Sequence, residues 1–251
     1  MSSSFFVVSF AVAAPAKKSS RASSVVTRLR EQIFNGKLPP GSPLRELSIA
    51  REFNVSQATV REALQRLEYA GLVTRKQNLG TFVTRLSPSD VRERLALRAM
   101  LECLAAEAAA ARMTEADFEE LERRLQNLGA AVESDSYYEA ARADLDFHRY
   151  VWQSSGNETL CRLLELVTVP LFAFISIMRS HGLQRLTAVV VAHSPLIAAL
   201  RSKDSAQIRE AFRKGATSSY ESFLGEGGEI AVAEAFGFLE PRVERSTSES
   251  S

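Results

Sequence analysis

The sequence predicts a mainly α-helical protein of two domains, the first of which carries a small β-hairpin. Hydrophobic residues recur at helical spacing along most of the 251-residue chain. Two short apolar stretches, residues 72–74 and 81–83, have the pattern of strands, and no convincing strand pattern occurs between residues 89 and 224. A composition of 45% hydrophobic and 24% charged residues is that of a globular chain, long enough for two modest domains.

We predict that residues 1–24 lie outside the folded domains, as a disordered segment or as a wrong extension of the N-terminus. The apolar run from Phe5 to Ala14 has no positive charge before it and is too short to span a bilayer. A disordered or wrongly extended segment is therefore favoured over an export signal. The Ser-rich stretch from Lys17 to Ser24 is predicted to act as a linker.

Residues 25–86 have the pattern of a winged helix-turn-helix. After a helix over residues 25–35 come a short helix, a tight turn and a longer helix that Ser56 is placed to cap. Gly71 ends the longer helix, and the two short strands follow it. This layout lets the longer helix enter a DNA major groove. The apolar positions that define the helices are Val26, Leu29, Ile33, Leu47, Ile49, Phe53, Val60, Ala63, Leu64 and Leu67.

The outer face of the longer helix carries the donors that base recognition requires. Gln57 lies at the helix start and Arg61 one turn later, where long side chains reach base edges. The alternative is a solvated helix face on which Arg61 pairs with Glu62 or Glu68. The turn, the helix pair and the basic wing together favour DNA binding. The residues available to hold phosphates are Arg45, Arg51, Arg75 and Lys76.

Basic charge is concentrated in the part of the chain that this interpretation requires. The whole chain has a net charge of only +1. Residues 25–84 contain nine basic and five acidic residues, a net charge of +4. Residues 85–224 contain seventeen basic and nineteen acidic residues, a net charge of −2. This asymmetry is typical of a nucleic-acid-binding domain joined to a domain with another task.

Several spaced phrases make the first domain similar to a known family. They are Gly36-Lys37-Leu38-Pro39-Pro40-Gly41 with Leu44-Arg45-Glu46, Val55-Ser56 with Val60-Arg61-Glu62-Ala63-Leu64, and Gly71-Leu72-Val73 with Gly80-Thr81-Phe82-Val83. With them, residues 25–84 resemble the DNA-binding domain of the GntR family of bacterial transcriptional regulators. The resemblance implies DNA contacts from Arg45, Ser56, Arg61 and Gly80. Gln57 stands where the family usually has Arg, which should favour adenine over guanine.

Residues 87–224 are predicted to form an all-helical domain. Ser87 to Asp90 marks its boundary, since Ser caps a helix and Asp suits its first turn. Ser155-Gly156-Asn157 ends one helix and begins another. Residues 225–251 mix Gly, Glu and Ser and are predicted to be a polar tail. The predicted helices are 89–112, 114–133, 136–154, 157–180, 185–202 and 204–223.

Three polar residues of the helical domain are predicted to point into its core. Asp144 and His148 are four residues apart on one helix and share its inward face. His193 lies in the middle of an apolar stripe on another helix. One Asp with two His is an ordinary ligand set for zinc or a similar divalent ion. The alternative is that each His is a core residue hydrogen-bonded to a carboxylate.

The helical domain also carries the phrases of a known family. They are Arg98-Ala99-Met100-Leu101-Glu102, Asp144-Leu145-Asp146-Phe147-His148, Ser155-Gly156-Asn157 with Leu160, and His193 eleven residues before Asp204. Residues 89–224 thus resemble the FCD effector domain of the FadR-type branch of GntR regulators. Many members of that branch hold a divalent metal through one Asp and three His, beside a pocket for organic acids. Here Gly215 stands where the third His belongs, so the metal site is either reduced to Asp144, His148 and His193 or lost.

Arg98 is the predicted partner of the effector's carboxylate, because a guanidinium pairs carboxylates bidentately. The alternative is that Arg98 pairs with Glu102 one turn along its own helix. We expect a cavity where Asp144, His148 and His193 meet, since the opposing position, Gly215, is small. That cavity should accept an acidic small molecule, with any metal as the bridge.

These features predict a transcriptional regulator whose homodimer binds double-stranded operator DNA under the control of a carboxylate effector. The cysteines Cys103 and Cys161 make no disulfide framework, so a cytoplasmic protein with no membrane partner is expected. The alternative is a metal-dependent hydrolase with an N-terminal docking domain. Against an enzyme, the sequence shows no Glu paired with a His on the face of Asp144 and His148, and no nucleophile motif.

Overall fold

This computed structural model describes residues 21–134, 136–180, 187–218 and 220, with the backbone alone for residues 180, 187–189 and 218. The helices and strands within these ranges are α1 (Arg21–Phe34), β1 (Pro43–Leu44), α2 (Glu46–Glu52), α3 (Gln57–Tyr69), β2 (Val73–Lys76), β3 (Gly80–Val83), α4 (Pro88–Arg112), α5 (Glu115–Glu133), α6 (Tyr137–Ser154), α7 (Glu158–Ser180), α8 (Thr187–Ser202) and α9 (Ser205–Ser218). The chain is thus mainly α-helical, with an N-terminal winged helix-turn-helix and an all-helical second domain, as the sequence predicted.

The N-terminal domain forms because its local signals agree with its packing. Ser56 caps α3 by accepting a hydrogen bond from the backbone N–H of Thr59 at 3.1 Å. Gly71 follows the helix with a φ of +70°, a conformation that glycine adopts at little cost. The three strands form an antiparallel sheet in the order β1-β3-β2. Strand β1 was not predicted, because two residues carry too little pattern to be distinguished from a loop.

The predicted linker over residues 17–24 is wrong for its last four residues. Helix α1 begins at Arg21, and its first turns bury Ala22 and Val25 against the domain core. That burial stabilises a helix start that the Ser-rich sequence does not indicate. The rest of the predicted segment, residues 1–20, lies outside the described residues, as do the predicted tail over residues 225–251 and His181.

The second domain is a helical bundle in which α4 packs against α6, α7, α8 and α9. Ser87 and Asp90 form a capping box at the start of α4, and Gly156 separates α6 from α7 with a φ of +70°. The six predicted helices are observed, but α9 ends at Ser218 and Tyr220 lies in a turn, so the predicted extension of the last helix is wrong there.

Helix α7 joins the two domains. A Cβ on Gly71 would lie 2.9 Å from Cγ of Pro170, so only glycine fits where the winged domain meets this helix. Nearby, the rings of Phe34 and Tyr138 meet edge to face at 5.8 Å. By length and composition, Glu158–Arg179 is the one segment of the described chain apolar enough to cross a membrane. Its packing against α1, α4 and α6 accounts for the buried part of that apolar sequence.

Candidate functional site

The residues predicted to contact DNA are exposed on the winged domain. Arg45 immediately precedes α2, Ser56 and Gln57 lie at the N-terminal end of α3, and Arg61 follows one turn later. Gly80 begins β3 at the wing, where its φ is +105° and a Cβ added to it would have no atom within 4 Å. Ser56 serves as the helix cap, and the other residues present their side chains or backbone to solvent.

Arg61 makes an ion pair that the sequence did not predict. Its Nη2 lies 2.8 Å from Oε2 of Glu46, the first residue of α2. Glu62 pairs instead with Arg66 at 2.6 Å, and Glu68 lies 3.9 Å from Arg75. The side chain of Arg61 remains 54% exposed. The pair therefore holds the guanidinium at the surface, where solvent screens its attraction to the carboxylate.

The structure brings Asp144, His148 and His193 together. Oδ1 of Asp144 lies 3.0 Å from Nε2 of His193 and 3.5 Å from Nε2 of His148. One ligand atom from each of the three residues falls within 4.8 Å of the others, and all three side chains are buried. Helix α6 supplies two of them and α8 the third.

This donor set fits a divalent metal ion. Oδ1 of Asp144 is buried and accepts no well-aligned hydrogen bond among the described residues, despite the nearby imidazoles. A buried carboxylate oxygen beside two imidazole nitrogens is a typical environment for zinc. Gly215 also lines the cavity, so a third imidazole is lacking at the position that the sequence indicated. A metal held here would have three protein ligands and at least one position open to water or a ligand.

Glu102 on α4 is a member of the cluster that the sequence analysis missed. Its Oε1 lies 2.9 Å from Nδ1 of His148 and accepts a hydrogen bond from Nε1 of Trp152 at 3.2 Å. Its Oε2 accepts from Nε of Arg98 at 3.2 Å. Glu102 thereby positions His148, leaving Nε2 to face Asp144. Glu102 comes from α4 and not from the helix face that carries Asp144 and His148, so the spacing along α6 gives no sign of it.

Arg98 makes the ion pair with Glu102 that the sequence offered as the alternative to effector binding, and it also contacts His148. It pairs with Glu102 within α4, and it also lines the cavity, with Nη2 3.3 Å from Nε2 of His148. Its guanidinium is 5.0 Å from the centre of the Phe172 ring. Because the side chain is only 3% exposed, its charge belongs to the interior of the bundle.

Neighbouring charges keep the two buried carboxylates ionised. Burial alone would raise the pKa of Glu102, but Arg98, His148 and Trp152 outweigh it and lower the pKa to about 2. Burial likewise opposes the ionisation of Asp144, yet His193, His148 and Arg179 lower its pKa to about 2. At neutral pH Asp144 is therefore a charged acceptor able to bind a cation, and Glu102 cannot donate a proton.

The cavity between these residues is small, with a volume of about 20 Å³. That volume suits a metal ion or a water molecule and is below what an organic acid requires. A Cβ on Gly215 would lie 3.3 Å from Cδ2 of Leu196, so the absent side chain leaves little room. The residues that line the cavity come from α4, α6, α7, α8 and α9, and they are Arg98, Asp144, His148, Phe172, Ile175, Arg179, Ala192, His193, Leu196, Gly215 and Tyr220.

A winged helix-turn-helix joined to a helical domain with a polar internal cavity defines a DNA-binding transcriptional regulator with a C-terminal effector-binding domain. The family comparisons agree. Residues 21–83 match the family of bacterial regulatory proteins named gntR, and residues 93–214 match the FCD domain. The chain belongs to the GntR family and carries an FCD domain.

Similar proteins carry names of the same class. The chain is 32% identical to the uncharacterized HTH-type transcriptional regulator YdhC of Bacillus subtilis over 181 residues, 70% of this chain and 79% of that protein. It is 34% identical to the HTH-type transcriptional regulator LutR of the same organism, over 54% of this chain and 68% of LutR. The solved structure of McbR/YncC from E. coli has a TM-score of 0.66 at 22% identity, covering 88% of this chain and 99% of that one, and supports the fold.

Proposed function

We propose that this regulator binds a palindromic operator as a homodimer and that a small carboxylate, held with a divalent metal in the helical domain, controls that binding. The observation that carries the proposal is the buried cluster of Asp144, His148 and His193 beside Arg98. Burying an ionisable group costs free energy unless the group is paired with another buried group or with a ligand. Clusters of such groups are concentrated at functional sites.

The DNA contacts are assigned to the exposed end of α3 and its surroundings. Gln57 and Arg61 are placed to reach base edges, with Arg45 and Gly80 approaching the backbone from the start of α2 and from the wing. Ser56 keeps the helix N-terminus in order and leaves its N–H groups near a phosphate. The basic bias of residues 25–84 supplies the electrostatic attraction.

Metal and effector are assigned to the buried cavity. Asp144, His148 and His193 would hold a zinc-like ion, which supplies a positive centre for a carboxylate oxygen. Arg98 lies beside it as a second cation. Because the cavity measures only about 20 Å³, an organic acid enters it only when the surrounding helices separate. A ligand that requires this separation binds the two arrangements of the bundle unequally, which is the condition for shifting operator affinity.

Transmission to DNA is assigned to α7, which lines the cavity and also meets the winged domain. Phe172, Ile175 and Arg179 line the cavity, and Pro170 on the same helix meets Gly71 of the winged domain. A displacement of α7 at the cavity therefore acts on the end of α3. We place the protein in the cytoplasm, where its operator lies.

We assign the dimer interface to the exposed apolar faces of α4 and α7. Leu97 and Leu104 lie seven residues apart on one face of α4 and are 49% and 51% exposed. Leu163 and Leu166 on the adjoining α7 are 45% and 46% exposed. A Leu104→Glu variant should dissociate the dimer, as measured by light scattering. Leu79→Glu, at a more exposed leucine of the wing, should not.

The function is tested by selecting DNA from a random pool with the purified protein. A palindromic motif is expected, and its affinity should change when zinc and acetate, malonate, succinate or citrate are added. Failure to enrich any motif would contradict the DNA-binding assignment. An enriched motif whose affinity responds to none of these additions would contradict the carboxylate effector and leave DNA binding in place.

The hydrolase alternative receives no support from Glu102, although this residue lies beside His148. Both of its oxygens are engaged, by Trp152, His148 and Arg98, and its pKa of about 2 makes it a poor proton acceptor. A hydrolytic role would need a base that can accept a proton near neutral pH. Zinc-dependent turnover of ester or amide substrates would contradict this assignment.

A further inference from the structure

Tyr220 brings a hydroxyl group to the cavity that nothing in the described chain uses. The side chain lines the cavity and is 1% exposed, and its hydroxyl oxygen has no hydrogen-bond partner among the described residues. Leaving a buried hydroxyl unpaired costs free energy, because the group has lost its water. Tyr150 shows the usual arrangement, since its hydroxyl donates to Oδ1 of Asp117 at 2.8 Å.

Packing does not account for the hydroxyl. The ring of Tyr220 belongs to an apolar cluster whose other buried members are Val91, Leu95, Ala99, Leu171, Ile175 and Ala216. A phenylalanine would make the same apolar contacts without burying an unpaired polar atom. The hydroxyl therefore serves something other than the stability of the free protein.

This hydroxyl keeps its proton and is able to donate it in a hydrogen bond. Burial raises the pKa of Tyr220 to about 12, against the opposing effect of Arg98 and Arg179, so the phenol keeps its proton at neutral pH. The cavity is also lined by Asp144 and the two imidazoles, where Oδ1 of Asp144 lies 3.0 Å from Nε2 of His193 and 3.5 Å from Nε2 of His148. The free donor accordingly faces the space where a ligand bound to that cluster would place its remaining oxygens.

We propose that Tyr220 donates a hydrogen bond to an oxygen of the bound effector and so favours ligands that present an acceptor at that position. The inference rests on the proposed effector site and defines its ligand class more closely. The ligand carries a carboxylate toward the Asp144–His148–His193 cluster and a second anionic or carbonyl oxygen toward Tyr220. A ligand without that oxygen leaves the hydroxyl unpaired, which is a strong basis for discrimination.

The first test uses the free protein and a matched pair of variants. Tyr220→Phe removes a hydroxyl with no partner, so the melting temperature should stay the same or rise. Tyr150→Phe removes a hydroxyl that is hydrogen-bonded, so the melting temperature should fall. A fall with Tyr220→Phe as large as that with Tyr150→Phe would show that the hydroxyl already has a partner and would overturn the proposal.

The second test measures the binding of zinc and then of malonate to zinc-loaded protein by calorimetry. In Tyr220→Phe the zinc affinity should be unchanged, while malonate affinity should fall about tenfold or more, because a hydrogen bond to a charged group is lost. Tyr150→Phe should bind malonate like the wild type. Acetate, which has no second carboxylate, should bind both variants and the wild type equally.

Equal malonate affinity in the wild type and Tyr220→Phe would overturn the role of Tyr220 while leaving the effector site intact. If the wild type bound neither zinc nor malonate, the proposed effector site would fail as a whole, and the inference about Tyr220 with it. The wild-type titration thus separates the two failures.

Discussion

Two Arg–Glu pairs, one in each domain, show how the same chemistry serves different ends. Arg61 and Glu46 meet at 2.8 Å on the surface of the winged domain, where their side chains are 54% and 29% exposed. Arg98 and Glu102 meet at 3.2 Å inside the helical bundle, where they are 3% and 1% exposed. The distances between the paired atoms are similar, but one pair is exposed to solvent and the other is buried.

Exposure to solvent allows either partner of the surface pair to be replaced by another charged group. Burial makes each partner of the inner pair necessary to the other. Water and salt screen the attraction between Arg61 and Glu46, so either partner can leave at little cost. Arg98 and Glu102 have lost their hydration and depend on each other and on His148 and Trp152. The first situation suits the DNA contact that we propose for Arg61. The second suits a framework that would hold the proposed metal ligands in place.

The largest expected effect is on the buried pair. Glu102→Ala should destabilise the protein by about 3–5 kcal/mol, because Arg98 is left with an uncompensated buried charge. The matched control on the same helix is Glu107→Ala, which removes the partner of the half-exposed Arg209 and should cost about 0–1 kcal/mol. Urea unfolding of the two variants measures the difference. Equal costs would mean that burial does not distinguish the pairs.

Substitution of the surface Arg should change DNA binding and leave the stability of the protein unchanged. Arg61→Ala should abolish specific operator binding, with base discrimination reduced roughly 5- to 150-fold if Arg61 reads a base. The melting temperature should not change. Arg66→Ala, which removes a different ion-paired Arg of α3, is the control and should retain specificity. A phosphate contact would instead weaken binding to all sequences and flatten the salt dependence. Unchanged operator binding would contradict the assignment of α3.

Gly215→His tests whether the buried cluster is a metal site that lacks one ligand. The new imidazole should raise zinc affinity, because it adds a ligand to a site whose other members are already held in place. Without metal it should destabilise by about 1–3 kcal/mol, since Leu196 must move. Gly129→His, at a helix position with no atom within 4 Å of a Cβ, is the control and should do neither. A lower melting temperature with no gain in bound zinc would exclude the latent site.

The smallest effect concerns one base of each half-site. Gln57 begins α3 and is exposed, so Gln57→Arg should shift the selected motif toward guanine at one position per half-site without changing its overall affinity greatly. Selection from a random DNA pool with both proteins reads out the change. Identical motifs would show that Gln57 does not reach a base, and recognition would then depend on Arg61 and on the wing.

The sequence determined the winged domain almost completely, because its signals are local. The cap at Ser56, the left-handed turn at Gly71 and the periodic burial of α3 involve residues that are close along the chain. The exceptions were the start of α1 at Arg21 and the two-residue strand β1. Both depend on contacts with residues that are distant along the chain, and local sequence propensity does not predict such contacts.

In the helical domain the sequence determined only those parts of the cluster that share one helix or one apolar stripe. The pair Asp144 and His148 follows from a spacing of four, and His193 from its place among apolar residues. Only the tertiary structure decided that Glu102 supports His148 and that Tyr220 faces the same cavity. The physical reason is that a buried charge is stable only beside particular partners, and those partners come from helices whose mutual placement is set by packing of the whole bundle.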